Sequence, residues 1–190
     1  VIAALCNFQK EEDKVIVSSD KDFFQLLDDT TVLYRPVQKE VMNKNRVTDK
    51  FLIHPNNFAL ARAIAGDKSD NLPGIKGAGL KTIAKKFPDM CGEETYTIKR
   101  LLKDCDKVEN KLKIHNAIIE NKELIEKNYK IMQLYTPSIS TATSAIIKEH
   151  IKNYPKQFAR TNIRKMMIED GFGEMNWSDL FSSLNKIHRG

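Results

Sequence analysis

The stretch GDKSDNLPGIKGAGLKTIAKKFP, residues 66–88, joins two aspartates, a glycine-rich turn and a lysine-bearing helix in one continuous run. Asp67 and Asp70 stand three residues apart, so both face one site if the turn holding them is helical. Leu72, Pro73 and Gly74 are expected to stop the preceding helix, because proline lacks an amide hydrogen and glycine tolerates a positive φ. Gly74, Gly77 and Gly79 then let backbone amides approach a ligand that side chains would hold away. Leu80, Ile83, Ala84 and Phe87 follow with a helical period. A hairpin that feeds a helix N-terminus is an expected site for phosphate, and Lys76, Lys81, Lys85 and Lys86 add positive charge beside it. The plain alternative is a structural turn, since a Gly-x-x-Gly-x-Gly pattern is weak by itself.

Gly66-Asp67-Lys68-Ser69-Asp70-Asn71-Leu72-Pro73-Gly74-Ile75, together with Lys81-Thr82, resembles the signature of the 5′ nucleases of the flap endonuclease family. Ser18-Ser19-Asp20-Lys21-Asp22-Phe23, whose Asp20 precedes Asp67 by 47 positions, resembles the second aspartate motif of that family. The remainder is similar in pattern only, most of all to bacteriophage RNase H-type members that remove RNA primers. The resemblance implies a helix-rich α/β fold. It would be the C-terminal part of a PIN-like (resolvase-like) nuclease core with a helix–hairpin–helix (H3TH) module gripping duplex DNA. It implies two Mg²⁺ ions, replaceable by Mn²⁺, on Asp20, Asp22, Asp67 and Asp70 as catalytic metal ligands, with Asp70 the weakest candidate. Hard-oxygen ligands without histidine suit Mg²⁺, and two such ions activate a water and stabilise the leaving oxygen. The hairpin residues Gly74, Lys76, Gly77, Gly79, Lys81, Thr82 and Lys85 are the implied DNA contacts, with K⁺ held by hairpin carbonyls.

The chain has 190 residues, 41% of them hydrophobic and 29% charged, enough for one domain with a core or for most of two small ones. No apolar run approaches the roughly 18 residues that span a bilayer, and no signal peptide is recognisable, so a cytoplasmic setting is expected. Cys6, Cys91 and Cys105 form no Cys-x-x-Cys pair, which suggests neither a disulfide framework nor a zinc site. His54, His115, His150 and His188 are too scattered to be metal ligands. A net charge of +6 and an isoelectric point near 9.1 favour a polyanionic partner.

Taken in order, Val1–Phe8 suits the end of a buried helix whose beginning is absent, and the chain is expected to be the C-terminal portion of a longer protein. Val15-Ile16-Val17 is expected to be a strand buried on both faces. Asp20 and Asp22 follow at its C-terminal end, where open α/β sheets place their ligands, with Asp20 also a helix cap. Asp28 and Asp29 suit a solvated turn. Val32–Tyr34 and Glu40–Met42 are expected as short strands. Two short helices follow, with Thr48 as N-cap of the first and Pro55 in the first turn of the second. From Gly92 to Lys130 the pattern is helical, with Leu101, Leu102, Val108, Leu112, Ile114, Ile118, Ile119, Leu124 and Ile125 turned inward. Lys99, Arg100, Lys103, Lys107, Lys111 and Lys113 are a solvated face or a secondary DNA contact. Pro137 interrupts, a helix follows, and Pro155 opens the next, with Phe158, Ile163, Met166, Met167 and Ile168 its apolar residues and Lys156 among its bases. Trp177, Leu180, Phe181, Leu184 and Ile187 are spaced as core.

Three regions are expected: residues 1–65 as nuclease core, 66–130 as the H3TH module, and 131–190 as helices returning to the core. The implied function is structure-selective 5′ nuclease action, as flap endonuclease or 5′-3′ exonuclease, on DNA or RNA–DNA duplex with a 5′ end or flap. A clamp or single-strand-binding protein is the implied protein partner, and primer removal in replication the implied role. The alternative is a non-catalytic, structure-selective DNA-binding fragment lacking half the metal site. A narrower rival is the 5′-nuclease domain of a bacterial DNA polymerase.

Overall fold

The largely apolar run Ile2–Phe8 forms a short helix (α1), and the run Lys14–Val17, rich in β-branched residues, forms a strand (β1). A computed structural model describes residues 1–109, 112–136, 138–153 and 159–189, without the side chains of 187–189. The expectations for Lys111, Pro137, Pro155, Lys156 and Phe158, and for the Ile187 and His188 side chains, lie outside the described residues. Two units are distinguished, Val1–Ser144 and Ala145–Gly190.

In the first unit, β1 runs parallel to β2 (Thr31–Arg35), with Val15 opposite Val32 and Val17 opposite Tyr34. β2 turns back antiparallel into β3 (Glu40–Met42), giving the sheet order β1-β2-β3. Ile16, Leu33 and Met42 point into the core. Contrary to the expectation for β1, Val15 and Val17 are 65% and 67% exposed. Side chains alternate across a strand, and among the described residues the core lies on one face of this sheet.

A 3₁₀ turn, Lys21–Leu26, and helices α2 (Lys44–Phe51) and α3 (Pro55–Ala65) cover the inner face. Phe24, Phe51 and Phe58 meet there with ring centroids 5.4–5.6 Å apart, spacings that suit the aromatic quadrupole. The N-cap of α2 is Asn43, whose side chain accepts from the Arg46 amide. Thr48 lies inside that helix and donates to the Lys44 carbonyl, so its expected capping role falls to a residue five positions earlier. His54 caps α3 and Pro55 occupies its first position, as expected.

Downstream come α4 (Leu80–Lys86), a 3₁₀ turn Pro88–Cys91, α5 (Ile98–Lys107), α6 (Lys113–Glu120) and α7 (Lys122–Met132). Leu101, Ile118 and Ile125 are fully buried, whereas Leu112 and Ile119, expected inward, are exposed. Leu112 precedes α6 and so escapes its periodicity; Ile119 follows Ile118 around the helix and leaves the buried face. α7 packs against α3. Gln25 ties its end to the 3₁₀ turn, donating to the Met132 carbonyl at 3.0 Å and accepting from the Leu134 amide at 2.6 Å.

The boundary between the units falls within α8 (Thr141–Lys152). The second unit continues with α9 (Arg160–Glu169) and α10 (Trp177–Arg189). Trp177 stacks on Phe181, while Arg160 lies over the Phe181 ring and Arg164 over Trp177. The half-buried aromatic pair is thus occupied by its own cations. No helix among the described residues is long and apolar enough to cross a membrane.

Candidate functional site

The site begins where β1 ends. Ser18 accepts the Asp20 amide, and Asp20 Oδ1 accepts the Asp22 amide at 2.8 Å. This cap forces a tight 3₁₀ turn that lifts Asp22 toward α3. Asp22 Oδ1 there accepts from Arg62 Nε at 3.2 Å and Nη2 at 3.0 Å. Arg62 Nη2 also donates to Asp67 Oδ2. Asp67 Oδ1 accepts the Ser69 amide at 2.8 Å and the Ser69 hydroxyl at 2.5 Å.

Burial raises the Asp22 carboxyl above its ordinary value; Arg62 opposes the shift, and the neighbouring Asp20 and Asp67 charges add to it. Asp67 goes the other way. The Ser69 hydroxyl bond lowers it, against burial, with help from the Ser69 amide and Arg62.

Asp70 does not join the cluster. α3 ends at Ala65, capped by Gly66 at φ 75°, and not at Leu72–Gly74 as the proline suggested. Asp67 and Leu72 then exchange two backbone bonds, 2.8 and 2.7 Å, closing a turn that holds Asp70 exposed at its tip. The three-residue spacing is therefore not helical, and the two carboxylates diverge.

The close of that turn brings Gly74 back onto the end of α3. A Cβ on Gly74 would lie 1.9 Å from the Ala65 carbonyl oxygen, so only glycine fits. The Ile75 amide donates to the Ile64 carbonyl at 2.9 Å, stitching the hairpin to the same helix. Ile75 and Ala78 are buried beneath it, while Lys76, Gly77, Gly79, Lys81 and Lys85 are exposed and Thr82 is half-buried. From Lys76 to Lys81, the only amide bonded among the described residues is that of Ala78, to the Ile75 carbonyl. The remaining donors and three lysines share one exposed hairpin and the helix it feeds, Lys85 lying in the last turn of that helix.

Further along, Arg100 is not a free base of the α5 surface. It pairs with Asp89 at 2.5 Å and Glu94 at 3.0 Å and lies over the Tyr96 ring.

Two residues of the site were not found by motif. Arg62 is the one charged residue of the otherwise neutral helix PNNFALARAIA, and that isolation was the available signal. Asn128, buried in α7, donates to the carbonyls of Ala63 and Pro73. Nothing in its local sequence marks it.

The candidate carboxylates offer hard oxygens, which suit a hard divalent cation. Among the described residues, however, no group of three His, Cys, Asp or Glu stands ready to hold a metal ion. A guanidinium lies between Asp22 and Asp67. As arranged, these residues do not form a metal centre by themselves.

No protein-family model matches the chain. The chain is 36% identical over 141 residues to the 5′-3′ exonuclease of Aquifex aeolicus, covering 72% of this chain and 44% of that protein. It is 33% identical over 125 residues to the 5′-3′ exonuclease of Buchnera aphidicola, covering 64% and 40%. A 30% identity over 138 residues relates it to the thermostable DNA polymerase I of Thermus aquaticus, across 72% of this chain and 16% of the polymerase. The chain thus spans less than half the length of these relatives. Among solved structures, zinc-bound T5 5′-exonuclease superposes with a TM-score of 0.59 at 18% identity, over 70% of this chain and 48% of its own. A bacteriophage T5 flap endonuclease complex with DNA and metal ions superposes with a TM-score of 0.57 over the same share of this chain. By sequence this chain is similar to 5′-3′ exonucleases over most of its own length, and by fold it is similar to T5 5′-exonuclease.

Proposed function

We propose that this chain carries the carboxylate cluster and the DNA-gripping module of a structure-selective 5′ nuclease. One observation carries the reading. The turn that places Asp67 beside Asp22 and Arg62 closes through Gly74 directly into the exposed, lysine-bearing hairpin. A duplex backbone held at the hairpin is then rigidly referenced to the carboxylates. In this reading residues 1–65 belong to the nuclease core, 66–130 to the DNA-binding module and 131–190 to the returning helices. Gly74, Lys76, Gly77, Gly79, Lys81, Thr82 and Lys85 hold phosphates without reading bases, because amides and ammonium groups contact the backbone alone.

Asp20, Asp22 and Asp67 are the carboxylates this chain contributes toward divalent ions, and Asp70 is a surface residue of the turn. Mg²⁺ is the proposed ion and K⁺ a candidate at the hairpin. The preferred substrate is a DNA or RNA–DNA duplex with a 5′ end or flap, in primer removal, with replication proteins as partners. A second reading, binding without cleavage, is favoured by the absence among the described residues of a third convergent acidic ligand.

The test uses a 5′-labelled flap duplex, with cleavage followed in Mg²⁺ and binding in Ca²⁺. Cleavage lost on Asp67→Asn with binding retained supports the nuclease reading. Tight binding with no cleavage in any divalent ion selects the second. Absence of structure-selective binding overturns both.

A further inference from the structure

Asp22 and Asp67 come from segments 45 positions apart and meet through a single guanidinium. The Arg62 side chain is 15% exposed, against 22% for Asp22 and 12% for Asp67. Two carboxylates so little hydrated repel each other strongly unless a cation lies between them. α3 supplies that cation. Nη2 serves both acids and Nε adds a second bond to Asp22, so the planar fork sets their separation as well as their charge. The oxygens are unequally committed. Asp67 has both engaged, Oδ1 by Ser69 and Oδ2 by Arg62. Asp22 has its Oδ2 without a hydrogen-bond partner among the described residues.

We propose that Arg62 is the positioning residue of this pair and its resident counter-cation, against whose charge a divalent ion must bind. This rests on the reading of Asp22 and Asp67 as divalent-ion carboxylates given above. A dication that approaches the open Asp22 oxygen meets a fixed positive charge one hydrogen bond away, and to engage Asp67 it must share or displace the guanidinium. Arg62 therefore keeps the carboxylates gathered when no metal is bound and weakens the affinity of the site when one arrives.

The experiment measures Mn²⁺ binding by the full chain with isothermal titration, and the shift in Tm that Mn²⁺ produces. Arg62→Gln removes the charge and is expected to bind Mn²⁺ on the order of tenfold more tightly, because a like charge in a poorly hydrated site is lost. Its Tm without Mn²⁺ should fall and its gain with Mn²⁺ should exceed that of the parent. Arg62→Lys keeps the charge and should bind as weakly as the parent. General structural damage would weaken binding, so tighter binding separates the two causes. An Arg62→Gln chain that is unfolded alone and folds with Mn²⁺ also supports the proposal. One that stays unfolded with Mn²⁺, or folds and binds it no more tightly, overturns it. Asp22→Asn and Asp67→Asn, each combined with Arg62→Gln, should abolish the gain. If they leave Mn²⁺ binding unchanged, the reading of the carboxylates fails. If they lose binding while Arg62→Gln alone binds no more tightly, only the role of Arg62 falls.

Discussion

The side-chain amide of Asn128 donates to the carbonyl oxygen of Pro73 at 2.8 Å, and the same nitrogen reaches the Ala63 carbonyl at 3.0 Å. One buried residue of α7 thus clamps the last turn of α3 to the entrance of the hairpin. Asn128→Ala leaves two carbonyls short of a partner and should destabilise the fold by about 2 kcal/mol. Urea unfolding measures the loss, and native-state exchange of the Ile75 amide should accelerate beyond the global change. Equal acceleration at all core amides would show that Asn128 stabilises the fold without clamping the hairpin.

Gly74 and Gly77 predict opposite sensitivities. Gly74→Ala forces a methyl into the backbone of Ala65 and should cost on the order of 3 kcal/mol or more, since neither chain can yield without moving α3. Gly77 has φ 81° but open space around it. Gly77→Ala should cost only about 1 kcal/mol, the conformational penalty alone. Thermal unfolding of the two variants distinguishes steric from conformational need, and similar losses would contradict the packing described.

His54 predicts a pH dependence. Its Nδ1 accepts the Asn56 amide as the cap of α3, and burial lowers its pKa, with Glu93 opposing the shift and Lys44 assisting it. The folded protein therefore takes up this proton at lower pH than the unfolded chain. The contribution of His54 is fully present above the ordinary value of 6.5 and is lost as pH falls from there through the lower folded value. His54→Asn keeps an acceptor at the cap and cannot be protonated. Its stability should change less than that of the parent across this window, and identical slopes would contradict the assignment.

Lys81 and Lys85 lie one helical turn apart on the exposed side of α4. Replacing both with alanine should weaken duplex binding equally for all sequences and reduce the salt slope by roughly 1 to 2. Fluorescence anisotropy across a salt series reads both quantities. An unchanged slope would remove these lysines from the phosphate contacts.

The local chemistry was legible along the chain. The cap at Asp20, the proline that starts α3, the glycine hairpin and the helix after it each depend on neighbouring residues, and each formed as expected. Expectations that rested on one-dimensional spacing alone fared worse. Asp67 and Asp70 diverge because Gly66 ends the helix before them, and a three-residue spacing has a common face only inside a helix. Val15 and Val17 are β-branched whether or not a second layer covers them, so composition could not distinguish a strand buried on one face from one buried on both.

The amino-acid sequence by itself determined the likeness to 5′-3′ exonucleases, the order of the motifs and the residue types able to meet a phosphate or a cation, since these depend on chemistry carried by short segments. Only the tertiary structure decided that Arg62 joins Asp22 to Asp67, that Asp70 stands apart, and that Asn128 binds the hairpin to α3. Those relationships connect residues from 5 to 65 positions apart. They are fixed by how helices pack and where buried polar groups must find partners, and no local pattern encodes either.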